Sequence, residues 1–185
     1  MPHITPIDLS NPGDAADVLA GVKQKLGSVP NIFATMAQSP AVLQAYLAFG
    51  GALESASLSA RLREQIALTV AGVNACDYCA SAHTYIAKSL GVSADEATQN
   101  LSGRAADPKT AAILEFAGEA VRNRATFADN ASAIDRLRDA GVSDAEIVEI
   151  VAVIAINIFT NYFNHLAGTE VDFPFVDSSP SRSAA

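Results

Sequence analysis

Both cysteines of the chain fall within residues 74–84, which read Asn-Ala-Cys-Asp-Tyr-Cys-Ala-Ser-Ala-His-Thr. Cys76 and Cys79 form a C-x-x-C, and His83 follows four residues later. Two cysteines scattered at random over such a length would sit three apart on the order of 1% of the time, so the spacing calls for a chemical reason. Read as a helix at about 100° per residue, Cys76, Cys79 and His83 lie within roughly 60° of one another on one face. Two thiols and an imidazole then share one small volume, and Glu64, on the preceding helix, adds a carboxyl group. This set has the makings of a dithiol redox site with its own proton-transfer groups. A thiolate attacks a peroxide R–O–O–H at oxygen, giving a sulfenic acid and R–OH. The second thiol condenses with the sulfenic acid to a disulfide, which an outside dithiol reduces by exchange. His83 and Glu64 are the groups able to supply the proton that the leaving alkoxide needs.

Position alone leaves open which cysteine attacks. Cys76, nearer the helix start, feels the helix dipole more strongly, whereas Cys79 stands one turn before His83. Asp77 opposes both, because a nearby carboxylate disfavours a second anion. The same residue types also suit zinc, with Glu64 as a fourth ligand. Three ligands on one helix with one distant acid would be an unusual structural site, and dithiol chemistry is the preferred reading over zinc or an inert buried pair. On its own, Glu64 could equally pair with Arg61 or Arg63 at the helix surface.

The elements that must hold these residues are helical. Half of the 185 residues are apolar and 17% are charged, which defines a core-rich globular chain long enough for one domain. The net charge of −8 argues against nucleic acid and anionic membrane as partners. Residues 1–6 have neither the basic start nor the apolar stretch of a signal peptide. The run 147–163 is interrupted by Glu149 and Asn157 and is short for a bilayer, so it is expected to be a buried helix, and the chain cytoplasmic. Thiols stay reduced there, and a C-x-x-C is then catalytic or metal-binding more often than a structural staple.

Residues 1–13 read as an extended arm, 14–177 as one all-α domain of about eight helices, and 178–185 as a mobile tail. Asp14 is expected to cap the first helix and Ser39-Pro40 and Ser59 the helices before the dithiol stretch, and Asn130 is expected to start a later one. Capping boxes are expected at Ser93/Glu96 and Ser143/Glu146. Gly72 and Asn74 should break the chain ahead of a dithiol helix over 75–90. Without such a break, Glu64 and Cys76 would stand about 18 Å apart on one straight helix. The last helix, 144–166, is apolar on nearly all sides, so other helices surround it or another subunit covers part of it. Asn157, Asn161, Asn164 and His165 on it are read as interhelical hydrogen bonds ahead of a polar pocket wall, and Tyr46 and Phe49 as core. The sequons at Asn100 and Asn130 carry no meaning in a cytosolic protein.

Glu64, eleven intervening residues, and then Cys76-x-x-Cys79-x-x-x-His83 resemble the motif of the alkylhydroperoxidase D-like proteins, grouped with the carboxymuconolactone decarboxylase family. The phrase at 29–33 (Val-Pro-Asn-Ile-Phe) and the endings at 161–165 (Asn-Tyr-Phe-Asn-His) and 169–174 (Thr-Glu-Val-Asp-Phe-Pro) are similar to its peroxidase-related branch, so that roughly residues 15–175 are covered. The resemblance implies an all-helical fold, assembly as dimers, trimers or hexamers, and a dithiol peroxidase without cofactor or metal. It implies Cys79 as the cysteine that attacks peroxide, Cys76 as the one that resolves it, and His83 with Glu64 as the proton relay. Its reductant would be a lipoylated protein, thioredoxin or a small thiol. Peroxidases of this family carry a histidine just before the second cysteine; here that position is Tyr78. The competing expectations are a lactone decarboxylase, which needs no dithiol, and a non-catalytic redox sensor or zinc-binding protein.

Overall fold

The structure is a computed structural model that describes residues 1–179. After a 3-10 turn at Gly13–Ala15 come α1 (Ala16–Leu26), α2 (Asn31–Met36), α3 (Pro40–Glu54), α4 (Ala60–Val73) and α5 (Asp77–Ser89). They are followed by α6 (Ala94–Leu101), α7 (Pro108–Asn123), α8 (Asn130–Asp139) and α9 (Asp144–Ala167). The described residues are therefore all-helical, as expected, with one helix more than the sequence reading counted.

The centre of the fold is α4, not the last helix. Every residue from Gln65 to Ala71 is buried, and α4 packs against α5, α6, α7 and α9. Its Leu68 and Ala71 join a core beneath α1, α2, α3 and α5, while Ile66 and Val70 join a second core with α7, α8 and α9. A helix buried on all sides needs no polar face, and close approach sets the rest. Thr69 Oγ1 donates to the Asn100 carbonyl at 2.8 Å. At Gly72 an added Cβ would lie 1.9 Å from the Leu101 carbonyl oxygen, so only glycine allows the end of α6 to sit there.

Of the two alternatives for the long last helix, full enclosure by the other helices of the chain is not what the structure shows. One face, with Ile150, Val153, Asn157, Asn161 and Asn164, is buried. Val148, Val151, Phe159, Tyr162 and Leu166 are exposed and recur at spacings of three, four or eight, a stripe along the opposite face. At 24 residues α9 is also longer than the run judged too short for a bilayer; by length and hydropathy it could cross a membrane. Phe49, expected in the core, is exposed on α3.

Helix starts followed local chemistry with some shifts. Ser59 accepts from Leu62 N–H, and Ser143 with Glu146 forms a complete capping box. Ser93 accepts from Glu96 N–H, but the Glu96 carboxylate turns to Arg61 and Gln65 instead of closing the box. α8 starts at Asn130 as expected, capped by Asp129, and neither Asp14 nor Ser39 makes a side-chain cap. The arm is docked rather than loose: His3 and Ile4 donate to the Ala167 carbonyl and Ile7 to that of Ala34. Of the tail expected to be mobile, 180–185 lie outside the described residues, but Ser178 is buried and donates twice to Asp77 Oδ1.

Gly72→Ala is expected to destabilise the protein by about 3 kcal/mol or more, because the obstacle is backbone and cannot swing aside. Thermal unfolding should show a midpoint lower by roughly 6–12 °C for a chain of this size.

Candidate functional site

Two turn residues bring the site together. After Val73, Asn74 keeps a helical backbone and Ala75 adopts φ +55°, the left-handed region normally left to glycine. Asn74, Ala75 and Cys76 N–H groups close back onto the carbonyls of Val70, Gly72 and Ala71. The chain thereby reverses, and α5 runs back along α4. The break expected at Gly72 and Asn74 is present, although the dithiol helix starts later than expected, at Asp77. Holding Ala75 in this conformation costs about 1 kcal/mol, strain placed directly before the first cysteine.

Cys76 is thus the N-cap of α5, not a residue within it. Its Sγ accepts from the Cys79 N–H at 3.3 Å, the bond an N-cap oxygen would make. Both cysteines are free and about 2% exposed. One turn on, His83 Nδ1 donates to Glu64 Oε2 at 2.8 Å, with side chains 21% and 17% exposed. Glu64 does not pair with its arginine neighbours: Arg61 binds Glu96, and Arg63 donates to the Leu58 carbonyl. The four residues singled out in the sequence therefore stand on the facing surfaces of α4 and α5.

The long helix α9 supplies residues that sequence reasoning left as structural. Asn164 Nδ2 donates to Cys79 Sγ at 3.3 Å. Asn161 Oδ1 accepts from Asn74 Nδ2 at 3.0 Å, and His165 Nε2 donates to the Asn74 carbonyl at 3.0 Å, so α9 also pins the turn before Cys76. Asn157 hydrogen-bonds His83. Three asparagines at i, i+4 and i+7 inside an apolar helix were the available signal, since an amide placed on a buried face must find partners. Tyr46, on α3, lies in ring contact with Phe33 and Phe159. Its hydroxyl is pushed up to about 12 by burial, then by the charges of Cys79 and Glu64, which sets it beside the site.

The two thiols shift each other's acidity in opposite directions. Pairing with the Cys79 thiol lowers Cys76; burial opposes this, and the Cys79 N–H, His83 and Asn164 add to the lowering. Pairing with Cys76 and burial push Cys79 far up. The first negative charge therefore rests on Cys76. Burial pushes the His83 imidazole down, but the Glu64 carboxylate, with Cys76 and Asn157, outweighs it and holds the imidazole above its ordinary value. The Asp77 carboxylate accepts from Ser178 of the C-terminal segment. Tyr78 also points away: its hydroxyl accepts from Ile32 N–H at 3.2 Å, its ring sits edge-on to Phe173, and burial keeps it protonated. No three His, Cys, Asp or Glu side chains among the described residues are grouped so as to hold a metal ion.

Residues 40–122, from α3 through nearly all of α7, match the model of the Carboxymuconolactone decarboxylase family. This segment contains the whole Glu64/Cys76/Cys79/His83 set. The fold as a whole is that of the alkylhydroperoxidase D-like proteins. The structure described as an alkylhydroperoxidase AhpD core, an uncharacterized peroxidase-related protein from Ralstonia eutropha, superposes with a TM-score of 0.82 at 24% identity, covering 92% of each chain. An uncharacterized peroxidase-related protein from Silicibacter sp. gives 0.77 at 25% identity, covering 91% of this chain and 92% of that one. The debrominase Bmp8, solved as a cysteine-to-alanine variant with 2,3,4-tribromopyrrole, gives 0.77 at 24% identity, covering 92% and 91%. No curated protein matches the chain.

Two pH dependences follow from these shifts. Alkylation of Cys76 by iodoacetamide, followed by peptide mass spectrometry, should set in at lower pH than for an ordinary thiol near pH 8.5, with Cys79 reacting only at higher pH. His83→Ala removes a favourable charge and should move the Cys76 onset up. For His83 the folded pKa is raised, so its pairing adds stability at low pH and loses it as pH climbs through that pKa. In Glu64→Gln, NMR titration of the imidazole should show a lower pKa, and that part of the stability should disappear.

Proposed function

We propose that this protein is a dithiol peroxidase that reduces hydrogen peroxide or organic hydroperoxides. The observation that carries the reading is the buried, coupled thiol pair beside a His83–Glu64 hydrogen bond that joins α5 to α4. In this reading Cys79 passes its proton to the Cys76 thiolate and attacks the outer peroxide oxygen. The S–O bond forms as the O–O bond breaks, leaving Cys79 as a sulfenic acid and R–O⁻ as the leaving group. His83 protonates R–O⁻ to R–OH, with Glu64 holding the imidazolium in place. Cys76 then attacks the Cys79 sulfur, its proton leaves with the hydroxyl group as water, and the Cys76–Cys79 disulfide remains. An external dithiol, such as a lipoylated protein, thioredoxin or a small thiol, returns the pair to the reduced state. The fold of the peroxidase-related proteins supports this reading in its coarse form, and the assignment of the four residues is ours.

A second reading keeps the same groups and changes the electrophile, and the likeness to a debrominase favours considering it. A thiolate takes bromine from a C–Br bond, the carbanion gains a proton from His83, and the second thiol displaces bromide as the disulfide forms. Lactone decarboxylation would leave the thiols without a part, and a redox sensor would form its disulfide once without turnover. The exposed stripe on α9 supports a homo-oligomer in which a second copy covers Val151 and Tyr162.

Stoichiometric cumene hydroperoxide should consume two thiols per chain as peroxide disappears, and Cys79→Ser should lose turnover entirely. His83→Ala is expected to slow turnover by about 10²–10⁴-fold. Peroxide left untouched, with bromide released from a brominated pyrrole, would replace the peroxidase reading with the second one. A Cys76→Ser/Cys79→Ser double variant active on a lactone would discard both.

A further inference from the structure

We propose that Asn161 and Asn164 form the pocket for the oxygen atom that Cys79 takes from a hydroperoxide, an inference that rests on the peroxidase reading above. Asn161 and Asn164 are 0% and 5% exposed, three residues apart on α9, and face the dithiol helix. Each amide is only half used. Asn161 spends its Oδ1 on Asn74, and its buried Nδ2 has no hydrogen-bond partner. Asn164 spends its Nδ2 on Cys79 Sγ, and its buried Oδ1 has none.

The two unspent atoms have opposite polarity and belong to the amides that act on Cys79. Against the upward push of Cys76 and burial, both pull the Cys79 thiol down. Buried polar atoms in native proteins rarely go without partners, so a pair of them beside one sulfur calls for a ligand. A thiol does not serve, since sulfur is a weak donor and a weak acceptor. A sulfenic acid does: its oxygen accepts from Asn161 Nδ2, and its O–H donates to Asn164 Oδ1. In the attack the oxygen becomes bonded to Cys79 as the O–O bond breaks, so these two hydrogen bonds strengthen as the S–O bond forms. Interactions gained on the way to the transition state speed the step without tightening substrate binding.

The pocket also bears on the division of labour between the cysteines. Cys76 carries the charge at rest through the start of α5, yet Asn164 hydrogen-bonds Cys79 at 3.3 Å. The geometry therefore places the transferred oxygen on Cys79, while Cys76 serves first as the base and then as the resolving thiol.

The test uses a Cys76→Ser parent, in which serine keeps an N-cap oxygen and the transferred oxygen cannot be resolved into a disulfide. Cumene hydroperoxide is added, and Cys79 sulfenic acid is trapped with dimedone and quantified by mass spectrometry. Asn161→Leu and Asn164→Leu should each slow its formation at saturating peroxide by about 10²-fold with an unchanged KM. Asn164→Gln, which restores both amide atoms, should recover part of the rate. In the folded parent itself, the side-chain amide NMR signals of Asn161 and Asn164 should shift on oxidation of Cys79. Sulfenic acid forming at the parental rate in the leucine variants, or amide signals that stay fixed on oxidation, would overturn the pocket and leave the peroxidase reading intact. Sulfenic acid trapped on Cys76 of a Cys79→Ser chain, with none on Cys79 of the parent, would move the oxygen to Cys76 and overturn the pocket. A wild-type chain inert to peroxide would remove the reading and this inference together.

Discussion

The structure depends on the reversal between α4 and α5. A carboxylate at position 64 and thiols at 76 and 79 cannot meet on a continuous helix, because the rise of an α-helix holds them about 18 Å apart. The turn at Asn74 and Ala75 removes that distance, at the cost of a left-handed alanine. Enough surrounds it to hold that conformation. Three backbone hydrogen bonds close the end of α4, and Asn161 and His165 of α9 bind Asn74 from the other side. The strain is therefore held by packing, and it sits where Cys76 must leave helical geometry to become a cap.

Placing a cysteine at an N-cap joins a structural role to a chemical one. The N–H groups at a helix start lack partners within the helix and favour an anion. Where serine or aspartate would offer oxygen, this chain offers sulfur, and the bond that starts α5 is the same bond that stabilises a thiolate. The second cysteine, one turn later in the same buried space, is pushed the opposite way by Cys76 and by burial, so Cys76 is the more acidic of the two. The Glu64 carboxylate, in turn, holds the His83 imidazole above its ordinary value.

Packing around α4 explains why this arrangement is rigid. Its buried run from Gln65 to Ala71 belongs to both cores, so α4 cannot shift without disturbing each of them. Glu64 stands one residue before that run and inherits its position. The C-terminal segment adds a further restraint on α5. Val176 donates to Ser81 and Ser178 to Asp77, while Asp172 and Glu170 bind Asn31 at the start of α2. Tyr78 belongs to this restraint, its hydroxyl accepting from Ile32 N–H and its ring edge-on to Phe173.

The helical class and the four-residue set could be read from the chain alone, because they rest on local rules. Helical periodicity, Gly72 and Asn74 as breakers, and the C-x-x-C with His83 one turn on are encoded within a few residues of one another. The sequence also implied a fold-back, since the chemistry requires Glu64 near Cys76. It could not determine which helix becomes the centre, because burial depends on what the other helices leave uncovered. The less apolar α4 is enclosed, and the more apolar α9 keeps an open face. Nor could it assign Asn157, Asn161 and Asn164. An asparagine in an apolar helix signals only that a partner exists, and whether that partner is a carbonyl, an imidazole or a sulfur is decided by the helix that packs across from it. The same holds for the acidity of the thiols: the spacing supplied two candidate nucleophiles, and only their pairing, burial and the cap geometry at Cys76 make Cys76 the more acidic.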